Sequence, residues 1–149
     1  MRNPRRWALV AATVVVGLAI TAFSPNYLDI QRAADADRFR FLVGEDGDDR
    51  VAIAALLDFG FAVLYAATVY ALFGAHRRFR IGVWLVAAGA VFDELENSFV
   101  LYGALRSESL TDGNVEWMKR FGVLKSIALI LGAVALIAGE IRHRLANRT

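Results

Sequence analysis

The stretch IGVWLVAAGAVFDELENSFVLYG, residues 81–103, decides how this chain folds. It is long enough to cross a bilayer as a helix, because about 20 apolar residues span the hydrocarbon. Its centre nevertheless holds three carboxylates, Asp93, Glu94 and Glu96, followed by Asn97. A carboxylate at the centre of a membrane helix costs roughly 2.5–3.5 kcal/mol on insertion scales, so these groups must be sheltered, protonated or paired. The stretch therefore predicts both a membrane helix and a buried polar site.

Three further apolar blocks of similar length lie at residues 7–23, 51–74 and 117–139. With 57% apolar residues, the 149-residue chain fits one helical membrane domain rather than a soluble globule. We therefore expect an all-α fold, a four-helix transmembrane bundle formed by the whole chain. The first block follows a basic start, which also fits a secretory signal, although its long apolar core favours an anchor.

The basic residues predict the orientation of these helices, because cytoplasmic loops carry an excess of lysine and arginine. They occur before span one, between spans two and three, and after span four: Arg2, Arg5, Arg6, Arg77, Arg78, Arg80, Arg142, Arg144 and Arg148. The remaining connections, residues 24–50 and 104–116, are acidic on balance and are expected outside. Both termini are then predicted to be cytoplasmic.

The extracytoplasmic loop at residues 24–50 is longer than most connections, which indicates structure or function of its own. Within it, residues 27–43 have a loosely helical apolar side. The residues assigned to that side are Ile30, Ala33, Ala34, Phe41 and Leu42. We expect a short interfacial helix that lies on the outer membrane surface over the bundle. Tyr27 is assigned to the outer belt of aromatic residues.

Polar residues from three spans are predicted to meet at one depth. At about 100° per residue, Asp93, Glu96 and Asn97 share one side of the third span. Counted from the ends of their own spans at about 1.5 Å per residue, Asp58 and Lys125 reach nearly the level of Glu96, in the outer half of the bilayer. We therefore predict one shared site. Its ligand-binding residues are Asp58, Tyr65, Asp93, Glu96, Asn97 and Lys125.

Two interpretations of this cluster stay open. In the first, it binds a lipid head group or a small amphiphile, and Asp58, Asp93 and Glu96 are candidates for acid–base catalysis with Lys125 tuning their protonation. In the second, a carboxylate pairs with Lys125 only to fix the register of the helices, since polar residues often hold membrane helices together.

Other functional classes have weaker support. A relay for protons or cations would need polar groups in the inner halves of the spans, and residues 69–73 and 81–88 offer almost none. A structural or accessory subunit, or a homodimer, would use Glu94, which turns away from the cluster. A magnesium-dependent prenyl-diphosphate enzyme would use Asp93, Glu94 and Asn97 but lacks a second acidic motif.

Composition argues against several chemistries. The chain has no cysteine, and its two histidines, His76 and His143, lie near predicted helix ends, so we expect no metal site and no cofactor. The basic residues form no patch with interleaved aromatic residues, which argues against nucleic acid as a partner. Ser98 and Ser126 lack the nearby histidine that a serine hydrolase needs.

Short motifs in three spans match a bacterial group of proteins. The matching residues are Leu57-Asp58-Phe59, Tyr65, the FDELEN-type motif at 92–97, and Leu124-Lys125. By these residues the chain resembles an uncharacterised family of four-helix integral membrane proteins whose D-x-x-E-N pattern falls on Asp93, Glu96 and Asn97. Glu94 departs from the pattern, in which an apolar residue is more usual. The resemblance implies a shared bundle and polar site in the bacterial inner (plasma) membrane, and it supplies no activity.

Overall fold

The computed structural model describes residues 4–146, and every regular element in that range is helical. The α-helices are α1 Pro4–Phe23, α2 Tyr27–Gln31, α3 Ala36–Asp46, α4 Asp48–Phe73, α5 Arg80–Leu105 and α6 Asp112–Ala146. Short 3-10 turns precede α5 at Arg77–Phe79 and follow it at Ser107–Ser109. The predicted all-α class is confirmed. Arg2 and Arg148, which enter the orientation argument, lie outside the described residues.

Each of the four predicted apolar blocks lies within one long helix, apart from Gly74, which is the C-cap of α4. The last helix extends furthest beyond its predicted block, since α6 begins at Asp112 and continues to Ala146. Two described helices, α4 and α6, are long and apolar enough to cross a membrane by length and composition, and Trp7–Ile20 is a shorter apolar stretch. Helix α5 equals α4 in length, at 26 residues each, and carries the three carboxylates in its second half.

The long helices pack as neighbours in the order α1, α4, α5, α6. Across residues 4–146, α1 and α6 share no interface comparable with these three. Residues of both end helices nevertheless line one cavity together, so the row curves and leaves a gap between its first and last members. We refer to the end covered by α2 and α3 as the capped end, and to the end with the turn Arg77–Phe79 as the basic end.

Glycines bring α5 and α6 into backbone contact toward the basic end. A Cβ atom on Gly82 would lie 2.7 Å from Leu136 Cγ, and one on Gly132 would lie 3.2 Å from the backbone nitrogen of Val86. A Cβ atom on Gly82 would also lie 3.0 Å from the carbonyl oxygen of Gly132, so a side chain at either glycine would crowd the facing helix. The glycines therefore allow α5 and α6 to approach each other closely at this end.

Helices α2 and α3 build an apolar core over the capped end. Phe39, Leu42 and Val43 are at most 3% exposed, whereas Ala34 and Phe41 face outward. The single expected helix is instead two helices, α2 and α3. Of the five residues assigned to its apolar side, Ile30, Ala33 and Leu42 are buried, whereas Ala34 and Phe41 are exposed. The Asp35 side chain accepts a hydrogen bond from the backbone of Arg38 at 2.8 Å and starts α3 anew, which rotates its buried face.

Hydrogen bonds fix this cap to the rest of the fold. Asp46, at the end of α3, accepts from the backbone and side chain of Asn26 at 3.1 and 2.9 Å. Asp112, at the start of α6, accepts from the backbone nitrogen of Ala36 at 2.9 Å. Arg40 donates to two carbonyls of the turn before α6, at 2.9 and 2.7 Å. The cap is thus held at both ends of α3.

Candidate functional site

A polar cluster lies beneath the cap, where α4, α5 and α6 meet α2. Helix α5 presents Asp93, Glu96 and Asn97 on one face, and all three are at most 4% exposed. Asp58 of α4 is 8% exposed, and the Lys125 side chain of α6 is 18% exposed. The structure therefore brings these five side chains together, and it buries them in one place.

Lys125 bridges two of the carboxylates. Its Nζ atom lies 3.0 Å from Asp93 Oδ1 and 2.5 Å from Glu96 Oε2. The approach of Glu96 to α6 depends on Gly122, since a Cβ atom there would lie 2.9 Å from Glu96 Oε1. The lysine is therefore shared by two acids of α5, and Asp58 forms no ion pair within the described chain.

Amide groups link the remaining carboxylate to this ion pair. Gln31 Nε2 donates to Asp58 Oδ2 at 3.3 Å and to Asn97 Oδ1 at 3.1 Å. Asn97 Nδ2 in turn lies 3.5 Å from Asp93 Oδ1. A chain of hydrogen bonds thus runs from Asp58 to the lysine, and such buried networks fix the positions of all their members.

Tyr27 and Gln31 are site residues that the sequence reasoning missed. Tyr27, expected in an aromatic belt, is 2% exposed and donates its hydroxyl to Asn97 Oδ1 at 3.1 Å. Burial, and then the nearby carboxylates, raise the pKa of Tyr27, so its phenol stays neutral and acts as a donor. Tyr27 and Gln31 are four residues apart, so they lie on one helical face. That spacing is the sequence signal that could have identified them.

The other predicted residues divide between the cluster and its surroundings. The Tyr65 hydroxyl donates to Asp93 Oδ2 at 3.3 Å, so this tyrosine belongs to the cluster. The side chain of Glu94 has no hydrogen-bond or ion-pair partner among residues 4–146 and lines neither cavity beside the cluster. The three ligands considered for magnesium, Asp93, Glu94 and Asn97, are therefore not gathered at one point.

A cavity of about 580 Å³ extends from the cluster along the concave side of the row. Asp58, Asp93 and Lys125 line its polar end, with Tyr27, Gln31 and Tyr65 beside them. The remaining lining toward the basic end is aliphatic: Val69, Val86, Leu129, Ala133 and Leu136. The cavity therefore has one charged end and one long apolar side.

A second cavity of about 540 Å³ lies next to the first and shares Lys125 with it. Its lining includes Glu96 and two cationic side chains at the capped end, Arg32 and Lys119. The two cavities therefore differ in their charged groups, because the first adds two aspartates to the shared lysine, whereas the second adds one glutamate and two cationic side chains to it.

Neither metal ligation nor similarity to known proteins adds to this geometry. Within the described range, no three His, Cys, Asp or Glu side chains are grouped so as to hold a metal ion. Comparison of the chain with known protein families, curated proteins and solved structures finds no match. The resemblance based on the D-x-x-E-N pattern accordingly stays a prediction.

Proposed function

We propose that the chain is a multi-pass protein of the bacterial inner membrane, in which all four long helices cross the bilayer. Large apolar side chains cover the outward faces of these helices, which is unusual for a monomeric protein in water. The most exposed among them include Val15, Leu18, Leu56, Val63, Val91, Val123, Ile130, Val134 and Ile137.

The distribution of charge supports an orientation with both termini in the cytoplasm. Arg78 and Arg142 line one pocket at the basic end, so the turn between α4 and α5 adjoins the last turns of α6. The capped end carries the acidic first turn of α4, Asp48 and Asp49. This asymmetry follows the excess of arginine in cytoplasmic segments.

Single cysteines test the orientation directly, since the natural chain has none. Arg77→Cys and Glu108→Cys place thiols on exposed residues at opposite ends of α5. With a membrane-impermeant maleimide on spheroplasts, we expect labelling of Glu108→Cys alone, and labelling of Arg77→Cys only after the membrane is broken. Equal labelling of both in intact spheroplasts would contradict the proposed topology.

The function that we propose is the binding of an amphiphile, with its polar head at the carboxylate–lysine cluster and its apolar part along α5 and α6. The observation that carries this proposal is the 580 Å³ cavity, which joins Asp58, Asp93 and Lys125 to an aliphatic lining. Binding sites for small molecules typically combine a mostly apolar wall with a few converging polar groups. A cluster that served helix register alone would need no such cavity.

Acid–base chemistry on the bound head group is the finer part of the proposal. Asp58 and Asp93 line the cavity and are the groups that could exchange a proton with a ligand there. Glu96 lines the second cavity and is held by Lys125, so its proposed role is to position the lysine. In this scheme, Lys125 pairs with Asp93 as well as with Glu96.

Filling the cavity tests amphiphile binding. Ala133→Phe places a ring in the aliphatic part, and Ala135→Phe makes the same change on the same helix outside this cavity. We expect Ala133→Phe to reduce lipid adducts in native mass spectra at least severalfold and Ala135→Phe to leave them unchanged. Equal retention of adducts by both variants would refute binding in this cavity.

A second candidate function, a subunit of a larger assembly or a homodimer, is favoured by Glu94. Its carboxylate lies on an apolar helix without a side-chain partner in the described part of the chain. A buried contact with another subunit would satisfy it. If Glu94→Leu leaves the oligomeric state unchanged on a sizing column in mild detergent, this assignment fails.

A further inference from the structure

The carboxylate of Asp58 lacks a cation, although it is 92% buried by its neighbours, being 8% exposed. Its hydrogen-bonding neighbour, Gln31, is a neutral amide. No lysine, arginine or histidine within residues 7–146 forms an ion pair with it. A buried carboxylate in such surroundings is costly when ionised, so a cation that reached it would be bound strongly.

The lysine of the cluster pairs with two other acids and forms no ion pair with Asp58. Lys125 Nζ lies within 3.0 Å of oxygens on both Asp93 and Glu96. Asp58, Asp93 and Lys125 thus line the larger cavity, and Glu96 also pairs with the ammonium group of Lys125. The polar end of the cavity therefore holds more carboxyl groups than cations.

Aromatic rings surround the same end of the cavity. Tyr27, Phe61 and Tyr65 all line it, and the rings of Phe61 and Tyr65 meet edge to face with centroids 5.4 Å apart. Aromatic rings beside carboxylates are the surroundings in which proteins bind organic cations, since the ring faces attract positive charge. These rings would favour an amine over an equally sized anion.

We propose that the ligand is a cationic amphiphile whose protonated amine pairs with Asp58 and whose alkyl part lies along Val69, Leu129 and Leu136. This inference rests on the proposed function and narrows it to one class of head group. It also assigns different roles to the acids: Asp58 binds the ligand, whereas Asp93 and Glu96 hold the lysine. Anionic head groups are repelled from the same position.

Photo-crosslinking of the full chain in phosphatidylcholine nanodiscs tests this class. Three probes share one alkyl chain bearing a diazirine and differ in head group: a primary amine, an alcohol and a sulfate. Peptide mapping by mass spectrometry locates the crosslinks. We expect the amine to label segments of α4 and α6 that line the cavity, at least about tenfold more than the sulfate at equal concentration, because a charge-assisted contact is gained.

Asp58→Asn is the decisive variant, and Asp49→Asn is its matched control on an exposed residue of the same helix. We expect Asp58→Asn to remove the preference for the amine over the alcohol, and Asp49→Asn to retain it. Asp58→Glu keeps the charge and should retain the preference, which gives a second test if Asp58→Asn does not fold.

The outcomes separate the two proposals. If the alcohol or the sulfate labels the cavity as strongly as the amine in the natural chain, the ligand class is wrong while amphiphile binding stands. If Asp58→Asn keeps the preference for the amine, or if Asp58→Glu loses it where Asp58→Asn does not fold, Asp58 is not the counter-ion. If no probe labels residues of the cavity, the proposed function itself is overturned.

Discussion

The two ends of the α5–α6 pair are built in opposite ways. Toward the basic end, Gly82 and Gly132 let the two backbones approach closely, with Leu136 and Val86 packed against these glycines. Toward the capped end, Glu96 and Lys125 stand between the helices, and cavities lie on both sides of the lysine. One end of the pair is held by contact of backbones, and the other by an ion pair.

This difference indicates how a thin helical fold keeps a charged space open. Two helices that are close-packed along their whole length leave no space for a ligand. Two helices held only by buried ion pairs can move little before those ion pairs break. When a tight seam fixes the relative position of two helices at one end, the charges at the other end can keep their distances while a cavity remains between them. The following changes test each end in turn.

Removal of the lysine should have the largest effect. Lys125→Met leaves Asp93 and Glu96 buried without their cation, and breaking a buried pair in this manner costs about 3–5 kcal/mol. We expect a correspondingly lower free energy of unfolding, measured by thermal or denaturant unfolding in detergent. Lys119→Met, which alters a lysine with a 40% exposed side chain, should cost less than about 1 kcal/mol.

A second variant identifies the cause of that loss. Adding Asp93→Asn and Glu96→Gln to Lys125→Met removes the uncompensated carboxylates, so much of the stability should return. If Lys125→Met unfolds like the natural chain, the ion pair does not hold the capped end together.

Crowding the glycine seam should have the next largest effect. Gly132→Leu places a branched side chain against Val86, and overpacking of this kind typically costs about 1–3 kcal/mol. The same measurement of unfolding applies. Gly60→Leu is the control, because a Cβ atom at Gly60 meets no other atom within 4 Å. Equal stability of the two leucine variants would mean that the seam is not close-packed.

Loss of the Tyr27 hydroxyl should weaken the link between the cap and the cluster. Tyr27→Phe removes the hydrogen bond to Asn97 and should lower the free energy of unfolding by about 1 kcal/mol. Tyr102→Phe, at a residue that is 42% exposed, should change it by much less. If the two variants are equally stable, the hydroxyl of Tyr27 contributes nothing to the cap.

Tyr27 should also make the free energy of unfolding depend on pH. Its pKa is raised in the folded chain above the ordinary 10.0, so the unfolded chain loses this proton first as the pH rises. The stabilisation is therefore complete below about pH 10 and decreases above it. Tyr27→Phe should show a smaller loss of stability between about pH 9 and 11 than the natural chain.

The smallest effect is expected where the cap meets the start of α6. Asp112→Ala removes the acceptor of the Ala36 backbone N–H and should raise the rate of amide hydrogen exchange across α3 about fivefold. Asp37→Ala, on a side chain that is 95% exposed, serves as the control. Unchanged exchange in Asp112→Ala would mean that other contacts alone fix α3.

The positions of the long helices and the composition of the α5 face could be predicted from the sequence. Apolar blocks of about 20 residues indicate helices, and a period of 3.6 residues puts Asp93, Glu96 and Asn97 on one side. Hydropathy says which segments are apolar and nothing about which segments are neighbours. The order of the row, with α1 and α6 apart, therefore had no signal in the sequence.

The contribution of the first loop was harder to predict, because it depends on tertiary contacts. Asp35 caps the start of a second helix, α3, in which Phe39 is buried and Phe41 is exposed. Tyr27 and Gln31 have ordinary surface or interface propensities, and only the path of the chain over the cluster turns them inward. Propensity alone could not distinguish a residue of an aromatic belt from a buried donor.

The gap between α1 and α6 determines which concentration of a ligand would control its binding. In a bilayer this opening would face acyl chains, so an amphiphile already dissolved in the lipid could reach the cavity by sideways diffusion. Occupancy would then follow the mole fraction of the ligand among the surrounding lipids rather than its concentration in water. Diluting the vesicles would leave the protein loaded, whereas diluting the ligand with more lipid would empty it.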